Sequence, residues 1–207
     1  MKDLIRRTIE IDYTQKHRHA GGALSALPII AKIYEQLGPD DVFILSKGHA
    51  APAFYAVLEK YGYKPDVSLP HPDHDPKNGI VCTTGSLGHG LPIAVGMALA
   101  KMIRNEHGKV YVLIGDGESL EGTTWEALNL ARAFDLHPHL EVHVDANGWQ
   151  GSCETICDTL DVMRAIFWCR VHHTKRGEGV RLFEEHEEWH THLITPEEFN
   201  QIMEELR

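Results

Sequence analysis

Two apolar runs, each ending in a turn that carries oxygen donors, constrain this chain most. Lys109-Val110-Tyr111-Val112-Leu113-Ile114 is followed by Gly115-Asp116-Gly117-Glu118, and Leu140-Glu141-Val142-His143-Val144-Asp145 by Ala146-Asn147-Gly148. A near-continuous β-branched run reads as a strand covered on both faces, the habit of parallel sheets. Leu120–Phe134 between them has helical spacing, so the stretch is predicted to be one right-handed βαβ unit. Ligands of open α/β sheets bind beyond the carboxyl ends of the strands. Asp116 and Asn147, at corresponding tips of neighbouring strands, can converge on one point. A carboxylate and an amide oxygen, with room for a backbone carbonyl, suit Mg²⁺ better than a softer metal. Gly115 and Gly117 let the backbone come close to a bulky anion. The amides after Asp116 lead into a helix N-terminus that favours negative charge.

The rest of the chain fits the same plan. Residues 2–16, 23–37, 50–61 and 87–105 read as helices, and Val42–Leu45 and Ile166–Val171 as further short strands. Residues 64–84, broken by Pro65, Pro70, Pro72, Pro76 and Asn78-Gly79, read as a long loop of the functional or mobile kind. The predicted fold is α/β, a three-layer sandwich with a mostly parallel sheet, in a single domain over 1–207. With 43% hydrophobic and 24% charged residues the composition is globular, and a net charge of −10 without a basic stripe disfavours nucleic acid. The start shows no signal peptide and no run is long enough for a bilayer, which predicts a cytoplasmic protein without a membrane span. Four cysteines are too few for a disulfide framework. Fifteen histidines among 207 residues favour a site that uses imidazoles.

The stretch G-D-G-E-S-L-E-G-T-T-W-E-A-L from Gly115, then V-D-A-N-G-W-Q-G from Val144, resembles the thiamine-diphosphate signature of transketolases. The same order holds for H-A-G-G at His19–Gly22, F-I-L-S-K-G-H-A at Phe43–Ala50 and T-G-S-L-G-H-G at Thr84–Gly90. It extends to T-K-R-G-E-G-V at Thr174–Val180 and W-H at Trp189-His190. The resemblance implies a thiamine-diphosphate-binding fold of the diphosphate (PP) type. It implies Mg²⁺ ligands at Asp116, Asn147 and the carbonyl of Trp149, and a diphosphate held by His49, Gly117 and His190. Gly85, Ser86 and Leu87 would approach the aminopyrimidine, with Glu118 in the same cofactor-binding set. His19, His71 and His190 match imidazoles of the substrate channel, and Glu121 a buried carboxylate at a dimer contact.

The family's pyrimidine-protonating glutamate stands on a second domain, for which this sequence offers no candidate. The resemblance therefore implies an N-terminal subunit of a split transketolase. It would move a two-carbon ketol unit between sugars or sugar phosphates, completed by a C-terminal, pyrimidine-binding subunit in a two-plus-two heterotetramer. The interval between about 152 and 173 is shorter than in the family, His89 replaces a glutamine, and Arg176 and Glu178 alter a lysine-rich glycine loop.

Rival readings are weaker. His186-Glu187-Glu188-Trp189-His190 matches H-E-x-x-H, the zinc hydrolase spacing, but no Gly-x-x-His follows and a new helix signal stands at Thr195-Pro196. Cys153, Cys157, His172 and His173 lack a second cysteine pair for structural zinc. His137, His139 and His143 read as solvated residues around Pro138. A non-catalytic, regulatory cofactor-binding subunit is the remaining alternative.

Overall fold

A computed structural model describes residues 1–148, 153–186 and 189–207, the side chains of 153–157 excepted. Helices α1 (Lys2–Gln15) and α2 (Ala20–Tyr34) precede strand β1 (Val42–Leu45) and helix α3 (Ala51–Lys60). Helix α4 (Gly90–Arg104) leads to β2 (Val110–Gly115), α5 (Gly122–Ala133) to β3 (Leu140–Ala146), and α6 (Cys153–Ile166) to β4 (Cys169–His173). Short α7 (Arg181–Glu184) and α8 (Pro196–Glu205) complete the chain. The strands form one parallel sheet in the order β1-β2-β3-β4, with Val112 opposite Ile44 and Val142, and Asp145 opposite Gly115 and His172.

Strand alternation divides the core into two layers. Val110, Val112 and Ile114 of β2 pack with Leu140, Val142 and Val144 of β3 against α4, α5 and α6. Tyr111 and Leu113 point the other way, with Phe43 and Leu45, into α1, α2 and α3. The helices that immediately precede β2, β3 and β4 thus share one face, as successive crossovers of one hand require. A third cluster docks α8 and Phe183 onto α1 and α2, with Tyr13 and Phe199 stacked at 4.1 Å. Thr195 and Glu198 form a reciprocal capping box at the start of α8, in keeping with the helix signal at Thr195-Pro196. Among the described residues no helix is long and apolar enough to cross a membrane.

Several boundaries differ from the expectation. The second helix starts at Ala20, not 23, with Gly21 and Gly22 inside it; a Cβ at Gly21 would come within 2.9 Å of Arg176 Nε. The helix expected from 87 begins at Gly90, after a turn with left-handed backbone at Gly85 and Gly88. A 3₁₀ turn, Asp116–Leu120, separates the Asp116 tip from α5, so the macrodipole of α5 does not start at that tip. The last strand lies at Cys169–His173 rather than 166–171, since α6 continues to Ile166. The 64–84 loop is tethered rather than loose: the Tyr55 hydroxyl donates to Leu69 O at 3.1 Å and the Thr84 N–H to Pro72 O at 3.0 Å.

The solvated reading holds for His137, which is exposed, but fails at His143. His137 stacks on Phe167 at 4.0 Å. His143, on the inner side of β3, is 2% exposed, with Nδ1 2.9 Å from His172 Nε2 and Nε2 3.2 Å from Glu141 Oε1. The carboxylate only accepts, so His143 carries its hydrogen on Nε2 and takes one from His172 on Nδ1. Burial, then the neighbouring His172, holds His143 down at about 3. Its folded pKa lies below the unfolded value of 6.5, so the unfolded chain binds the extra proton first. Stability is full above about pH 6.5 and falls as pH drops toward 3, by up to about 1.4 kcal/mol per pH unit from this group. In urea titrations between pH 7 and 4, His143→Gln should flatten that decline relative to wild type.

Candidate active site at the strand ends

The carboxyl ends of β1, β2 and β3 are tied together by two buried carboxylates. Asp145, at the end of β3, is fully buried and meets Lys47 Nζ at 2.5 Å, from the turn after β1. The same carboxylate accepts from Ser25 Oγ of α2 at 2.7 Å and from Thr174 Oγ1. Glu118 is the second tie. Its Oε1 accepts from Ser46 Oγ at 2.5 Å and the Gly88 N–H at 2.8 Å, while Oε2 accepts from the Gly115 N–H at 2.8 Å. Both oxygens are therefore committed within the protein. Burial raises its pKa against the pull of those bonds. Glu118→Gln would set an amide N–H₂ against N–H and O–H donors. Thermal or urea unfolding should then show a loss of about 2–3 kcal/mol.

These ties surround an open cavity lined by Gly22, Lys47, His49, Leu87, Gly115, Asp116, Gly117, Glu118, Asn147, Arg176 and His190. Asp116 is 4% exposed; Oδ1 accepts from the Gly117 N–H and Oδ2 from the Gly148 N–H, both at 2.8 Å. The two strand tips thus meet through backbone donors on one carboxylate. Burial pushes Asp116 above the ordinary carboxylate range, which a cation beside it would reverse. Asn147 Nδ2 donates to Ser25 Oγ at 3.0 Å, which distinguishes the nitrogen from the oxygen end of the amide. Asp145, by contrast, is engaged by Lys47, Ser25 and Thr174 rather than turned to the cavity as a further oxygen ligand. Trp149 lies outside the described residues.

Four imidazoles cluster at the mouth. His19 lies 5.4 Å from His49 and 5.6 Å from His190 between ring centres, and His49 6.3 Å from His190. Burial is the first cause that holds His19, His49, His71 and His190 below the ordinary histidine range, and neighbouring cations or imidazoles add to it. Near neutral pH they are therefore uncharged. His71 stands over Gly85, where a Cβ would come within 3.0 Å of its ring; φ of +143° there also disfavours any side chain. A Cβ at Gly48 would meet the Gly85 nitrogen at 2.8 Å. These two glycines bring the loops that carry His49 and Leu87 into contact.

Most expected site residues converge: Asp116, Gly117, Glu118, Asn147, His49, Leu87 and His190 line one cavity, with His19 beside them and His71 on the adjoining loop. Ser86 is exposed and shares a hydrogen bond with His89 Nδ1 at 3.3 Å. Glu121 is exposed among the described residues, over Gly88. Sequence reasoning gives no role to Lys47, Ser25 or Thr174 and treats Arg176 only as a departure. Arg176 is 8% exposed, lines the cavity, and donates Nη2 to Trp189 O. Lys47 is visible inside the Ser-Lys-Gly-His run, but only the fold shows that its partner is Asp145.

The H-E-x-x-H zinc reading does not survive. His186, Trp189 and His190 lie outside any helix; His186 stacks on Trp189 at 4.2 Å while His190 turns to His19. Among the described residues no group of three His, Cys, Asp or Glu side chains is placed to hold a metal ion. The side chains of Cys153 and Cys157 lie outside the described residues.

A parallel sheet with a cavity at its strand ends, lined by imidazoles and the buried carboxylates of Asp116 and Glu118, is the arrangement of a ligand-binding α/β protein. Residues 5–181 match the family described as transketolase, thiamine diphosphate binding domain, and the chain belongs to it. It is 31% identical over 242 residues to one of the subunits of the apulose-4-phosphate transketolase of Actinobacillus succinogenes, covering 91% of this chain and 87% of that protein. It is 40% identical over 153 residues to the 6-deoxy-6-sulfo-D-fructose transketolase subunit SqwG of Clostridium sp., covering 64% and 55%. The transketolase of Campylobacter jejuni has the same fold, with a TM-score of 0.72 at 24% identity over 99% of this chain. This chain spans 42% of that structure's length.

Proposed function

We propose that this chain is the diphosphate-holding subunit of a Mg²⁺- and thiamine-diphosphate-dependent split transketolase. A second, pyrimidine-binding subunit completes it, and together they transfer a two-carbon ketol unit from a ketose to an aldose. The observation that carries the reading is the convergence of Asp116, Asn147, His49, Arg176 and His190 on one cavity at the strand ends. The donor set fits the cofactor: a buried, desolvated carboxylate suits a hard cation, and a guanidinium with two imidazoles suits a diphosphate. Asp116, Asn147 and the Trp149 carbonyl would hold the ion. Gly117, His49, His190 and Arg176 would hold the phosphates, and Gly85, Ser86 and Leu87 would approach the aminopyrimidine.

Bound there, thiamine diphosphate supplies the carbanion equivalent needed to break and form a carbon–carbon bond. The chain's own task is to orient the sugar, exclude water and move protons at sugar oxygens. His19, His71 and His190, uncharged near neutral pH, are suited to accept them. Glu118 acts at one remove, by holding Gly88 and Gly115 in place. The relatives named above act on apulose 4-phosphate and 6-deoxy-6-sulfo-D-fructose, and we propose a sugar or sugar phosphate with an anionic tail here too.

The outer face of α4 supports a partner surface. Ile93, Gly96 and Ile103 are exposed on it, and Leu120, Leu130 of α5 and Phe134 just after α5 are exposed as well. Apolar faces of this kind mark contacts with other chains. They suit the two-plus-two heterotetramer, in which Glu121 would become buried.

Calorimetric titration with Mg²⁺ and thiamine diphosphate should show binding that weakens at least about 100-fold in Asp116→Ala. Absence of binding to wild type would overturn the reading. With the partner subunit present, His71→Ala should lower ketol transfer by about 100-fold; full activity would overturn the catalytic role of His71. Ile93→Asp should abolish co-elution with the partner on size exclusion while leaving the melting temperature of the isolated chain unchanged.

A further inference from the structure

The hinge between α1 and α2 carries a buried imidazole to which the proposed mechanism gives no part. Lys16 and Arg18 adopt left-handed backbone, with φ of 60° and 72°. Their side chains are exposed, while His17 between them is buried and His19 is half-buried. Such backbone persists in non-glycine residues only where the surroundings enforce it. Asp12 does so: its carbonyl accepts the His17 N–H at 3.0 Å and its Oδ2 the His19 N–H at 3.2 Å.

From this hinge the His17 ring reaches the long loop, with Nε2 2.8 Å from Val67 O. A carbonyl only accepts, so this nitrogen bears the hydrogen. Val67 stands four residues before His71, and the tethers at Leu69 and Pro72 bracket the same segment. The backbone carbonyl of His17 accepts from His19 Nδ1 at 3.2 Å, which leaves Nε2 as the basic nitrogen of His19. The placement of His71 and the tautomer of His19 thus trace to one residue. His17 is not among the residues that line the cavity.

We infer that His17 is a positioning residue of the substrate channel, whose ring N–H holds Val67 and so sets where His71 stands relative to His19. What the channel does rests on the transketolase reading; the placement itself does not.

The test compares His17→Phe with His17→Gln in the full chain. The glutamine amide nitrogen reaches the position of the imidazole Nε2 and can still donate to Val67; phenylalanine fills the space without a donor. Should the phenylalanine variant fail to fold, His17→Asn, whose amide is too short to reach Val67, replaces it. Exchange of the Ser68 and Leu69 amides, both bonded to Asp66, should quicken about tenfold in His17→Phe and return to wild type in His17→Gln. Affinity for Mg²⁺ and thiamine diphosphate should stay within about twofold in both. With the partner subunit, KM for the sugar should rise about tenfold in His17→Phe with kcat within about threefold, and His17→Gln should restore it. Unchanged exchange, unchanged KM, or a folded His17→Gln that behaves like His17→Phe would each overturn the positioning role. If wild type binds no cofactor, the transketolase reading falls, while the exchange measurements still decide the tether.

Discussion

The buried ion pair between Lys47 and Asp145 organises the functional end of this sheet. A buried pair contributes little net stability, because desolvation offsets most of the attraction, yet removing one partner strands a charge at a cost of about 3–5 kcal/mol. The pair therefore acts as a constraint on geometry. It joins the turn after β1 to the end of β3, across the central strand β2, and recruits Ser25 from α2 and Thr174 from beyond β4. Glu118 performs the complementary task on the other side of β2, where one carboxylate holds the β1 turn, the Gly88 loop and the β2 end. Three strand ends are thus held in register by side chains whose acceptors are already filled.

That division of labour explains why so few charges face the cavity. In the proposed site Asp116 is the carboxylate that would hold the cation, because Asp145 and Glu118 are spent on structure. The imidazoles at the mouth are kept uncharged by burial and by one another. In a chain of net charge −10, the diphosphate site we propose needs a local cation, and Arg176, which lines the cavity from the loop after β4, would provide one. The glycine contacts serve the same compactness, since the Gly48 and Gly85 backbones approach too closely for side chains between them.

Much of this is legible in the residue order. Strand β2 is a near-continuous hydrophobic run and β3 alternates apolar with polar residues, and their termination next to Asp116 and Asn147 directs attention to the strand ends before any fold is known. Helix ends are less legible: Gly21 and Gly22 sit inside α2, facing Arg176 and His49, whereas Gly88, inside an expected helix, keeps left-handed backbone in the turn before α4. The histidines mislead for a related reason. A hydropathy reading treats His143 as polar and outward, whereas strand alternation turns it inward, where Glu141 and His172 satisfy both of its ring nitrogens.

By itself the sequence determined the parallel α/β plan, the two ligand-bearing tips and the family signature, because these depend on local periodicity and on residues close together in the chain. Only the tertiary structure decided which carboxylates are structural and which face the cavity, that Arg176 enters the site, and that the long loop is tethered through His17. Those assignments depend on partners as far apart as Ser25 and Asp145, or His17 and Val67. Hydrogen bonds and ion pairs at such separation come into being only when the strands align, so no local pattern encodes them.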